Sequence, residues 1–340
     1  MSVLKKAAKI FLKTLLWIIV YLLFIVLLIH TPPVQNFARK KVQAFLQEKL
    51  DTRVEIGKIY IRLPSTVQID RVYLEDKQKD TLLYGGRIKA SINMFALLSN
   101  EVRIGQLTLE GITAHIDRSL PDTVFNFQFI IDAFATPADQ PADTAAAAMK
   151  IDIRQVNLRD IHFKYYDTLT GNDWSVDLSE FETRINTFDT EKFIFEIPSV
   201  SADGLVARMK QYKPLVEPED VVADDASAAP MPVLMIKDVD LKNIDVDYSN
   251  SVSQFFVQVK FKQFDTRAKA FDLAGQSIVL DHVKLANLDT KIRLGKSEKA
   301  KLVAAKAEEE VKDIAQNNWR ILVNALELDA SFVQYDDDNQ

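Results

Sequence analysis

Apolar residues change their spacing twice along this 340-residue chain, and the changes divide it. Residues 15–29 read LLWIIVYLLFIVLLI, and reaching back to Phe11 adds only Lys13 and Thr14 as non-apolar positions. Nineteen residues of helix rise about 28 Å, close to the hydrocarbon thickness of a bilayer. The pattern predicts a transmembrane helix over 14–30, with Leu15, Trp17, Tyr21, Phe24 and Ile29 as anchoring side chains. Pro32 and Pro33 end that helix and suit the start of another. Val34, Phe37, Ala38, Val42, Phe45, Leu46 and Leu50 then recur at three and four residues, which predicts a short amphipathic helix over 33–50. Two positions fit such a helix: flat on the membrane surface, or capping the end of whatever follows.

After Asp51 alternation replaces the helical period, in stretches such as VEIGKIYI, VQIDRVYL, RIGQLTL, FFVQVKF and HVKLANL. These are strands with one face to bury. A longer pattern overlies the alternation, with apolar residues at a start and then 3, 5, 8, 10 and 12 residues later. Full copies begin at Ile104, Ile153 and Ile236, weaker ones at Ile197, Leu280 and Val323, and a fragment at Ile56. The starts lie 39 to 49 residues apart, a spacing typical of repeat architectures. At seven residues after the start stand Gly111, Asp160, Gly204, Asn243, Asn287 and Ala330, five of them turn or bulge formers. A bulge or tight turn there restores phase across the three-residue step from +5 to +8. An irregular sandwich is the competing arrangement of the same strands.

Two segments break the pattern, at 136–149 and 217–232, rich in Pro, Ala and acidic residues; they read as loops joining sheet units. A third, about 297–316, reads as a charged, Ala-rich helix projecting from the sheet. The reading is therefore mainly β: a cytoplasmic basic head at 1–13, the membrane helix, the amphipathic helix, and a repeating β-sheet body over 51–340.

Charge orients this arrangement. Residues 1–50 carry net +7, with Lys5, Lys6, Lys9 and Lys13 ahead of the apolar run, while the remainder carries −13. Positive charge stays inside, so the head is cytoplasmic and the body lies across the membrane. A cleaved signal peptide is the other reading of such a start, but the apolar run is long and HTPPVQNF offers no pair of small residues for a peptidase. An acidic body argues against nucleic acid as a partner.

Chemistry is sparse. The absence of cysteine excludes disulfides, thiolate metal sites and a Cys nucleophile. His30, His115, His162 and His282 are far apart and show no ligand spacing, and the strand histidines His115 and His162 fall opposite the apolar positions. No nucleophile elbow, Walker or dinucleotide pattern occurs. The acidic runs 308–310 and 336–338 read as solvated. The chain is expected to be no enzyme and to hold no metal or cofactor.

The basic head and membrane helix, then TPPVQNFARKKVQAFLQEKL, TRVEIGKIYIRLPSTVQIDRVYLEDKQKDTLLYGGRIKASINMFALL and EVRIGQLTLEGITAHIDR, resemble the N-terminal region of AsmA-like and TamB proteins, especially of the Bacteroidetes type. VNLRDIHFKYYD and VDLKNIDVDYSN resemble the family's recurrent strand motif. The resemblance implies an inner-membrane protein whose periplasmic sheet curls into an elongated β-groove. Such a groove carries phospholipid acyl chains toward the outer membrane or supports outer-membrane protein assembly, with an Omp85-type partner met through a further C-terminal part. This chain stops just after a repeat copy, shorter than TamB-type members, which reads as a truncated product or fragment. The groove lining is then expected at Leu107, Leu109, Ile112, Val156, Leu158, Ile161, Phe163, Val239, Leu241, Ile244 and Val246. The same faces packed on each other as a closed core would show the same alternation.

Overall fold

The protein is seen in a computed structural model that describes residues 2–62, 65–93, 96, 101–121, 123–134, 150–189, 194–213, 233–272, 277–296 and 320–338. The segments read as loops at 136–149 and 217–232, and as a helix at 297–316, lie outside the described residues.

One helix, α1 (Ser2–Ile29), takes in both the basic head and the apolar run. Its stretch Lys9–Ile29 has a mean hydropathy of 2.7 and is long and apolar enough to cross a membrane. Leu15, Trp17, Tyr21 and Phe24 are exposed around it, and Ile29 is half-buried. Two polar side chains meet its own carbonyls: the Thr14 hydroxyl donates to Ile10, and the His30 ring, just past its end, meets Val26. Thr31 is extended, at φ −75° and ψ 143°, and breaks the helix before α2 (Pro32–Leu50) begins on its two prolines.

The sheet begins with β1 (Val54–Arg62), β2 (Thr66–Glu75), β3 (Thr81–Ile92) and β4 (Glu101–Arg118). It continues through β5 (Lys150–Ile153), β6 (Gln155–Asp167), β7 (Asn172–Arg184), β8 (Thr187–Asp189) and β9 (Ile194–Gln211). The last part holds β10 (Val233–Asn250), β11 (Phe255–Asp272), β12 (Ser277–Ala286), β13 (Asp289–Leu294), β14 (Arg320–Val323), β15 (Leu326–Asp329) and β16 (Phe332–Asp337). All belong to one curled open sheet of eleven successive strand lines, because β5–β6, β7–β8, β12–β13 and β14–β16 each continue one line. Eleven lines at about 4.8 Å spacing advance roughly 50 Å along the sheet axis.

Pairing is antiparallel except at three junctions, where β4 meets β6, β9 meets β10, and β12–β13 meet β14–β16 in parallel. Parallel neighbours need a long crossover, and the connections at these junctions, 119–149, 212–232 and 295–319, are the ones that contain the three pattern-breaking segments. The body is thus three antiparallel units, β2–β3–β4, β6–β7–β9 and β10–β11–β12/β13, joined side to side, with β1 before them and β14–β16 after.

Strand direction corrects one reading. The fragment at Ile56 is not a copy of the repeat: it lies in β1, which runs opposite to the repeat strands. The corresponding copy is in β2, with Val67, Ile69, Val72 and Leu74 at +3, +5, +8 and +10 from residue 64 and Arg71 at +7. Pro64 at its start and a bulky Arg at the turn position conceal it.

Every strand line running in the repeat direction turns left-handed at +7. Arg71 (φ 57°), Gly111 (63°), Asp160 (53°), Gly204 (70°), Asn243 (50°), Asn287 (54°) and Ala330 (44°) form one row across the sheet. Their neighbours in the opposite direction, Gly57, Gly86, Ser179 and Lys262, are not among the positive-φ residues. The expected bulge is absent as such, because pairing across this row stays one to one: Glu110 and Ile112 oppose Arg159 and Ile161, which oppose Glu180 and Leu178. All strands shift phase together, so no residue is looped out. Close approach narrows the choice at two of these positions. A Cβ on Gly86 would come within 2.9 Å of the Glu110 carbonyl oxygen, and one on Gly204 within 2.5 Å of the Ser179 Oγ.

Candidate functional site, the apolar face of the sheet

Register places the eleven expected lining residues on one face in four rows. Leu107, Val156 and Val239 share a row with Ile61, Val67, Val200 and Val283; Leu109, Leu158 and Leu241 share one with Ile88, Phe181 and Leu285. On the far side of the kink, Ile112, Ile161 and Ile244 align with Leu178, Leu205 and Phe261, and Phe163 and Val246 with Val176, Ala207 and Val259. The kink keeps both halves on the same face. A Cβ at Gly85 would touch Ile112 and Ile88 together, and the rings of Phe261 and Phe264 meet edge to face at 6.3 Å.

Curvature follows from which residues are crowded. On the opposite face the kink exposes consecutive polar pairs, Arg159–Asp160, Ser179–Glu180 and Lys242–Asn243. On the apolar face the side chains beside it, Ile112 and Ile244, are only 8% and 6% exposed. Bending spreads the outer side chains and crowds the inner ones, so the apolar face is concave. The other nine expected lining residues are half-buried.

The convex face is an ionic lattice. Arg87 bridges to Glu110 at 2.8 Å, Arg208 reaches Asp245 and Asp247 at 2.9 Å each, and Lys284 meets Glu327 at 3.0 Å. His162 belongs to it, 2.6 Å from Asp177 and 3.1 Å from Asp160, and the bond to Asp177 raises its pKa. Among the described residues no group of three or more His, Asp or Glu could hold a metal ion.

The two edges of the sheet differ. At the first, α2 lies along β1 and takes up backbone groups of its free edge: Gln35 donates to the Ile61 carbonyl (3.3 Å), Arg39 to Ile56 (3.1 Å) and Gln47 to Val54 (2.8 Å). Gln43 accepts from the Ile56 N–H (3.2 Å). Four polar side chains at i, i+4 spacing thus do for β1 what another strand would do. Beneath them Leu50, Val54, Ile56, Ile59 and Leu74 form a buried core. A helix the sequence reading missed, α3 (Gln128–Phe134), closes that core over the apolar face with Phe127, Phe129, Ile130 and Ala133. Apolar spacing in VFNFQFIIDAF was its only signal. At the far edge Leu326, Leu328, Phe332, Val333 and Tyr335 are each more than half exposed.

A polar row bounds the concave face where the strands end, and it too escaped the sequence reading. At +14 from five of the six repeat starts stand Arg118, Asp167, Gln211, Asn250 and Asp337, with Leu294 at the sixth, and the first four join Asn172 in one line across the sheet. Asp167 is fully buried and pairs with Arg118, whose Nε donates to it at 3.0 Å; the Tyr165 hydroxyl donates at 3.1 Å. These bonds, Arg118 first, hold its carboxyl well below the usual carboxylate range. Asp167 and Asn250 also receive backbone N–H groups of the turns that follow, Leu169 at 3.0 Å and Val252 at 3.0 Å. The two hairpins are built alike.

A membrane-length apolar helix leading into an open sheet, concave and apolar on one side and ionic on the other, defines a membrane-associated β-groove protein. The chain belongs to the AsmA family, whose sequence model matches residues 1–197, from α1 into β9. That membership supports a membrane-associated role of the outer-membrane-biogenesis or lipid-transport type. No curated protein matches the chain.

Proposed function

We propose that this protein is a non-enzymatic conduit in which phospholipid acyl chains lie along the concave face and pass between inner and outer membranes. The N-terminus is cytoplasmic and the sheet periplasmic. The resemblance to the TamB type belongs to this reading. One observation carries it: an apolar row runs unbroken across all eleven strand lines, from Ile59 through Leu109, Leu158 and Leu241 to Leu328, while nine of the eleven expected lining residues are only half-buried. A sheet that only needed a core would bury them. Headgroups stay outside, and the ionic convex face keeps the sheet in water.

Photoreactive residues at Leu158, Ile161 and Leu241 test this in cells. Phospholipid adducts at all three, with none from Lys164 on the convex face, are expected. Equal labelling from both faces, or no lipid in the detergent-purified chain, sinks the proposal. Ile161→Asp is expected to strip bound lipid while α1 remains inserted.

The exposed apolar side chains of the β14–β16 edge favour a second reading, a scaffold that assists outer-membrane or secreted proteins by pairing this edge with them. Photoreactive residues at Val333 and Tyr335 separate the two, since a conduit yields lipid adducts there and a scaffold yields protein adducts.

A further inference from the structure

Helix α2 has two faces, and the one turned from the sheet is not an ordinary solvated surface. Gln35, Arg39, Gln43 and Gln47, with Leu46 and Leu50 between them, are occupied by β1. About 180° around the helix stand Phe37, Lys41, Ala44, Phe45 and Glu48, flanked by Lys40 and Lys49. Phe37 is 62% and Phe45 55% exposed, and the Lys41 ammonium lies 5.8 Å from the Phe37 ring centroid. Glu48 is the one acidic residue of the helix. Large aromatic side chains left outward between lysines are what a helix needs to sit at the boundary of anionic headgroups and acyl chains.

Position supplies the rest of the argument. Only His30 and Thr31 separate the end of α1 from the start of α2, and the extended Thr31 turns the chain between them. Two phenylalanines and three lysines would bind a vesicle weakly as a free peptide, but tethering to an inserted helix holds them at high local concentration beside one surface.

We propose that α2 lies flat on the bilayer that α1 enters, with Phe37 and Phe45 at the headgroup boundary and Lys40, Lys41 and Lys49 among anionic headgroups. The opposite face of α2 holds β1, so the capped edge of the sheet is set against that membrane. The inference concerns where the sheet is seated and does not depend on what the groove carries.

A depth measurement decides it. In an upright helix, Glu48 stands about 20 Å further from the bilayer than Asn36, at 1.5 Å rise per residue. In a flat one, Ala44 and Glu48 lie at the same shallow depth. The chain has no cysteine, so Ala44→Cys and Glu48→Cys, both at exposed positions, accept spin labels singly, with Lys164→Cys on the convex face as the water reference. The full chain is reconstituted in vesicles of equimolar phosphatidylcholine and phosphatidylglycerol, and relaxation by oxygen is compared with relaxation by a water-soluble nickel chelate. Severalfold protection from nickel at both helix positions, equal between them, is expected. Protection is expected to be lost in K40S/K41S/K49S and in pure phosphatidylcholine at high salt, with α1 still inserted. Nickel access equal to that at position 164 overturns the proposal, as does protection that falls from 44 to 48 or survives the lysine substitutions.

Discussion

Asp167 shows how much one residue can hold together. It closes the polar row, anchors Arg118 and Tyr165, and receives the backbone of its own turn. Asp167→Ala leaves the largely buried Arg118 charge without a partner, and removing one member of a buried pair costs about 3–5 kcal/mol. Urea unfolding of the detergent-solubilised chain is expected to show a loss of that order. The sign of the pH dependence follows from the direction of the shift. A carboxyl whose folded pKa is lowered contributes stability above its ordinary pKa, near 4, and loses it as pH falls further. The wild type is therefore expected to lose stability more steeply than Asp167→Asn on acidification below about pH 4.

The kink row was partly legible at this scale. Gly111, Gly204, Asn243 and Asn287 announce a left-handed position because their side chains tolerate it, and Asp160 does so almost as well. Arg71 and Ala330 carry no such signal, and take the same conformation where the strands paired with them shift phase at the same row. The polar row at +14 was equally readable, yet a search for recurring apolar positions passes over it. Its meaning needed the burial of Asp167.

Among the elements, α2 bears the heaviest structural duty. Alternation of period 3.6 marks it as a helix, but its docking face is its glutamine stripe as much as its leucines, because β1 presents unpaired backbone groups along an open edge. Gln43→Leu is expected to leave the Ile56 N–H unpaired, at a cost of about 1–3 kcal/mol. Hydrogen exchange at Ile56 is then expected to quicken toward the rate of an edge strand. No comparable change is expected at Val246, within β10 in the middle of the sheet. The two positions weighed for α2 from sequence are not alternatives: the capping contacts occupy one face, and the proposed membrane contact takes the other.

At the scale of the whole molecule the asymmetry of the edges matters most. One edge is covered by α2, while at the other no further strand follows β14–β16 among the described residues, and Leu326 and Val333 are about 60% exposed. Exposed apolar edge strands pair with one another. The chain is expected to self-associate through β14–β16 in mild detergent, and L326K/V333K to shift it toward monomer in sedimentation velocity while the strand signal in circular dichroism persists. If both forms sediment alike, the edge is not the contact.

The sequence by itself determined the membrane-length apolar helix, the β class, the 39–49-residue period and the face on which the apolar residues of the full repeat copies fall. These depend on spacing along one strand or one helix, which is local. It could not tell a closed core from an open concave face, because alternation is the same in both. It could not reveal that the repeat strands join in parallel, that β1 runs against the repeat, or that one edge is capped. Those follow from which strands pair, from the common kink that bends them all toward the apolar side, and from how far each side chain stays exposed. All three are properties of residues far apart in the chain.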